Sequence, residues 1–261
     1  GRPLRTRLSD RVLIVLAVAG LAGALAIGVA GVVTVSETLA PFGMRSFAFE
    51  GGELMVSRTG FTGDLGYELW IDPELAVPLW DRLFDVGQVV GVKPMGTLAL
   101  EMSRIEAGFI QAGVDFLPAD RAIRADRTRS PFELDLEWLV DFRKGSFTGR
   151  RALLEERTRG SRYRLVKLDV EGNKPAKDAF IYDRRRRNVG VVTSALWSPA
   201  AKANIALASV QMPFGAPGDE LWAEIYYQKE LKWSRFMARC TVVEGAFFNP
   251  ARRRAQPAGD C

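Results

Sequence analysis

Gly60, Gly63 and Gly66 recur at every third position between two strand-like stretches, Glu53 to Ser57 and Glu68 to Ile71. Glycine tolerates positive φ and close backbone approach, so this segment must fold as strand, open loop, strand, with a loop able to wrap a flat ligand. Glu68 stands on the second strand immediately after the loop. A carboxylate held there can accept two parallel N–H donors, the pattern that the 2-amino and ring N–H edge of a pterin presents.

The segment Ser57 to Glu68 closely resembles the R-T-G-[YF]-T-G-[ED]-x-G-[YF]-E signature of the aminomethyltransferase (glycine-cleavage T-protein) family, which includes folate-dependent demethylases. Val92 to Gly108 resembles that family's P-x-G-L-x-A-R-D-x-L-R-x-E-A-G helix, and Lys144 to Leu153 its K-x-x-F-x-G-R-x-A-L. Val189 to Val210 is similar to its G-x-V-T-S-G-x-x-S-P-x-L-x-x-x-I-A-L-A-x-V. The resemblance covers roughly residues 12 to 255 and about the last two thirds of such a protein. On that ground the chain, which begins with Gly1, is expected to be a fragment lacking the family's first half and its catalytic acid.

The chain contains no histidine, which removes histidine triads, histidine metal ligands and histidine bases. Cys240 and Cys261 have no CxxC spacing, so neither a zinc site nor a disulfide scaffold is indicated. The net charge of +5 permits anionic ligands. The arginines clustered at 121–129, 184–187 and 252–254 lack the aromatic interleaving of a nucleic-acid surface, so no nucleic-acid partner is expected.

Val12 to Val35 is uncharged over 24 residues and follows Arg2, Arg5, Arg7 and Arg11. By hydropathy it is long enough to span a membrane. The resemblance instead places a buried strand at Leu16 to Gly20, followed by a helix, and a strand with a helix is the preferred reading. A membrane anchor through 12–35 stays the alternative.

The expected fold class is α+β: a folate-binding α+β domain remnant over 1–160, a small C-terminal β-barrel over 161–249 and a tail over 250–261. Asp72 and Pro73 begin a helix whose apolar face is Leu75, Leu79, Trp80, Leu83 and Phe84. Thr97 begins another with Leu98, Met102 and Ile105 inward, ended by Gly108. Leu134, Leu136, Trp138 and Val140 alternate as a strand, and six short strands follow between Leu165 and Val243.

The resemblance implies tetrahydrofolate as cofactor, with Glu68 on the pterin and Gly63 in the loop that approaches it. Phe61 provides either stacking area or core packing. Arg104 either pairs with a folate carboxylate or braces Glu106. Trp197 narrows a substrate mouth or fills a seam. Ser146 stands where a non-transferase branch carries cysteine, which favours the transferases. The implied function is tetrahydrofolate-dependent transfer of an aminomethyl or methyl group from a small-molecule donor or a lipoyl carrier protein, in the cytoplasm. A non-catalytic folate-binding module is the second reading.

Overall fold

The computed structural model describes residues 12–17, 39–88, 91–124 and 127–254. The chain divides into two compact units, Gly1–Ser103 with Asn249–Cys261, and Arg104–Phe248.

The first unit is built on an antiparallel sheet of β1 (Val12–Ala17), β2 (Met44–Phe49), β3 (Gly52–Ser57) and β4 (Gly66–Ile71), in the order β1-β4-β3-β2. Glu50 and Gly51 both have positive φ, which makes the two-residue turn that matches the twist of β2 and β3. Alternation then sorts the side chains. Phe49, Leu54, Val56, Tyr67, Leu69 and Ile71 cluster with Leu79 and Leu83 of helix α1 (Ala76–Gly87). Ser57 and Glu68, paired across β3 and β4, take the other face.

Residues 12–17 are a strand paired with β4 from Val12↔Ile71 to Ala17↔Gly66, so a spanning helix does not begin there. The remainder of the expected strand, 18–20, and the helix after it lie outside the described residues. Among the described residues no helix is long and apolar enough to cross a membrane.

Pro73–Leu75 form a 3-10 turn ahead of α1, in which Asp72 supplies its carbonyl to the Leu75 amide and makes no side-chain cap hydrogen bond. In α1 the predicted inward face narrows to Leu79 and Leu83, while Trp80 is 44% exposed and lies tilted against Phe84, ring centroids 4.7 Å apart. Helix α2 (Thr97–Glu106) departs further, because Leu98, expected inward, is 85% exposed. Only its last turn, Arg104 to Glu106, is enclosed. A stripe of apolar spacing marks a face, but how much of that face is covered depends on what packs against each turn.

The predicted strand at 134–140 is absent. Asp135 has φ 61, the Leu136 amide returns to the Pro131 carbonyl at 2.8 Å, and Glu137–Leu139 form a 3-10 turn. Local turn bonding has displaced a two-residue alternation that has no neighbouring strand to pair with. Helix α3 (Arg150–Arg159) follows.

A closed barrel of six antiparallel strands completes the second unit: β5 (Tyr163–Val170), β6 (Phe180–Tyr182), β7 (Asn188–Ser198), β8 (Ala203–Gln211), β9 (Glu220–Lys229) and β10 (Lys232–Val243), ordered β10-β5-β8-β7-β6-β9. Closure removes the sheet edges. Inside, Leu168, Ile181, Val192, Ala206, Ala208, Leu221, Ala223 and Ile225 form an apolar core. On the outer side of β8, Ile205 and Leu207 pack with Ile105 of α2.

Candidate functional site

The glycine-rich loop occupies residues 58–65, between the end of β3 and the start of β4. Gly63 is buried with φ 74, a backbone state that a side chain would strain. Asp64 turns the loop into β4 by accepting the Leu65 amide at 2.8 Å. Phe61 is half-buried within it. Arg58, 5% exposed, fixes the loop's start: its guanidinium donates to the Leu39 carbonyl at 3.0 Å.

Glu68 is half-buried, and its Oε2 accepts the Thr59 hydroxyl at 2.5 Å. Thr59 Oγ1 lies 2.8 Å from Ser57 Oγ. An ionised carboxylate has about four lone-pair positions, so one hydroxyl leaves Glu68 with spare acceptor capacity. This is the chemistry that a pterin's N–H edge requires. Tyr67, one residue earlier, points to the opposite, apolar face, where burial pushes its hydroxyl above the ordinary tyrosine range, with Arg58 acting the other way.

In the second unit Arg104 is fully buried, and its partner is Asp115 and not Glu106. Its Nη1 donates to Asp115 Oδ2 at 2.5 Å and to the Phe109 carbonyl at 3.1 Å, and its Nη2 donates to Ser194 Oγ at 2.7 Å. Asp115 also accepts the Gln111 amide at 2.8 Å on Oδ2, and the hydroxyls of Thr193 and Ser194 on Oδ1, each at 2.6 Å. Consecutive strand residues normally face opposite ways. The register shift between Val192 and Ser194 is a bulge that turns both hydroxyls toward one carboxylate.

Glu106, 8% exposed, instead accepts the Ser198 hydroxyl at 2.6 Å and so anchors the turn after β7. Trp197 precedes that turn and is 45% exposed. Two clefts of the second unit, of about 440 and 360 Å³, are lined by residues such as Phe147 and Arg150 in one and Arg129 and Glu156 in the other. None of the five expected site residues lines either. The structure thus keeps Glu68, Phe61 and Gly63 in one loop and strand of the first unit, with Arg104 and Trp197 in the second.

Sequence reasoning missed Thr59, Asp115, Thr193 and Ser194. Thr59 was within reach, because a hydroxyl two residues beyond Ser57 follows a strand that ends opposite Glu68. Asp115 gave no local signal.

Comparison with known proteins places these features in context. The family described as GCVT N-terminal domain matches residues 9–144, and the glycine cleavage T-protein C-terminal barrel domain matches residues 164–248. An aminomethyltransferase of Halothermothrix orenii is 32% identical over 185 residues, covering 71% of this chain and 49% of that protein. A trimethylamine-oxide aldolase of Ruegeria pomeroyi is 35% identical over 209 residues, 78% of this chain and 24% of that protein. The crystal structure of glycine cleavage system aminomethyltransferase T from Bartonella henselae superposes with a TM-score of 0.73 at 25% identity, covering 92% of this chain and 60% of that one. The chain spans about half the length of the aminomethyltransferases it matches.

Proposed function

The chain belongs to the glycine-cleavage T-protein family, and on that premise we propose that it serves tetrahydrofolate-dependent transfer of a one-carbon unit, aminomethyl or methyl, in the cytoplasm. The observation that supports this most is Glu68, a half-buried strand carboxylate with one oxygen fixed by Thr59 and acceptor capacity to spare, beside a loop opened by Gly63.

In this reading Glu68 receives the N–H edge of the pterin and sets its orientation. Gly63 lets the loop backbone approach the ring, and Phe61 offers it an aromatic surface. Tetrahydrofolate, when bound, supplies the nitrogen that takes the one-carbon unit. Arg104 braces the second unit through Asp115, and Trp197 flanks the turn that Glu106 holds. The donor in this reading is a small molecule or a lipoyl carrier protein, and relatives named aminomethyltransferase and trimethylamine-oxide aldolase support a one-carbon unit carried on nitrogen.

Calorimetry with tetrahydrofolate tests the assignment. Glu68→Gln keeps the shape but turns one acceptor oxygen into an NH2 donor, so affinity should fall by roughly tenfold to a hundredfold. Unchanged affinity would remove Glu68 from the site.

A further inference from the structure

The three oxygens around Glu68 have a fixed direction of donation. The carboxylate only accepts, so Thr59 donates its single proton to Glu68 Oε2 at 2.5 Å. That leaves Thr59 Oγ1 only as an acceptor toward Ser57 Oγ at 2.8 Å, so Ser57 is the donor there. Ser57 is 3% exposed and directly opposite Glu68 across the β3–β4 ladder. Thr59, two residues on, links Ser57 to Glu68 from the start of the loop.

We infer that Ser57 and Thr59 are positioning residues that lock the Glu68 carboxylate for a ligand carrying two adjacent N–H donors, and that the loop's conformation thereby sets the site's affinity. The inference rests on the pterin reading of Glu68. A glutamate on a strand has three free side-chain torsions, and ordering them at the moment of binding weakens the complex. Here Thr59 supplies that ordering from within the protein. Ser57 anchors the relay to the sheet, and Thr59 ties it to the loop that carries Phe61 and Gly63, so loop and carboxylate are held in one arrangement.

Thr59→Val matches the shape without the hydroxyl, whereas Thr59→Ser keeps the hydroxyl. Calorimetry of the chain with tetrahydrofolate, with thermal melting of each variant, should show Thr59→Val binding about three- to tenfold more weakly, with a melting temperature lowered by a few degrees because the buried Ser57 hydroxyl loses its acceptor. Thr59→Ser should stay within about twofold of the unaltered chain. Thr59→Ala supplies the same measurement should the valine variant not fold. Full affinity in Thr59→Val, or a serine variant as weak as the valine one, overturns the relay while a weakened Glu68→Gln leaves the pterin site standing. No folate binding by the unaltered chain, or Glu68→Gln without effect, overturns the pterin reading and the relay with it.

Discussion

Arg104 and Asp115 meet through Nη1 and Oδ2 at 2.5 Å with neither side chain exposed, eleven residues apart in sequence. A buried ion pair gains little net stability, because desolvating two charges offsets their attraction. Breaking it is another matter.

Asp115→Asn leaves the Arg104 charge without a counterion in a fully enclosed position. It should destabilise the second unit by about 3–5 kcal/mol, read from urea unfolding. Thr193→Val removes one of four donors to Asp115 and should cost about 1–2 kcal/mol. A neutral Asp115→Asn would mean that water reaches the pair.

Gly190 of β7 pairs with Val210 of β8. A Cβ there falls 2.4 Å from the Ser209 carbonyl oxygen and 2.9 Å from the Val210 Cα, both backbone atoms that cannot swing aside. Gly190→Ala should therefore force these strands apart and cost about 1–3 kcal/mol. Thermal melting followed by near-ultraviolet circular dichroism checks it.

Asp183 organises the turn between β6 and β7. Its Oδ1 accepts the amides of Arg185 and Arg187, each at 2.9 Å, and its Oδ2 accepts Arg187 Nε at 2.8 Å. Burial pushes this carboxyl up, but the amides and the Arg187 guanidinium outweigh it and hold it below the usual aspartate range. A depressed carboxylate stabilises the fold above its unfolded pKa, about 3.9, and loses that contribution as pH falls through the folded value. The stability gap between the unaltered chain and Asp183→Asn should be full at about pH 5 and above and close progressively below about pH 4. Melting curves of both across that range measure it.

Cys240 lies inside the barrel with no exposure, and burial raises its thiol to about 12. The reactive thiolate is then scarce near neutrality. Iodoacetamide at about pH 8 should leave the Cys240 peptide unmodified in the folded chain and label it in guanidinium, as mass spectrometry would show. Labelling of the folded chain would indicate barrel opening.

Elements that rest on short-range chemistry were legible in the sequence. The glycine spacing gave the open loop, alternation gave the six barrel strands, and the four motifs gave the family. Glu68 was legible because its strand, its loop and its charge are contiguous. Tertiary structure alone decided the partners. That Arg104 faces Asp115 and not Glu106 depends on where the barrel brings Thr193 and Ser194, 78 and 79 residues beyond Asp115. The bulge that aims both hydroxyls at one carboxylate is a register shift of one residue, and no local pattern encodes it. The same limit explains Leu98 and the missing strand at 134–140. Periodicity specifies which side chains share a face, but burial and pairing belong to whatever distant segment arrives to cover that face.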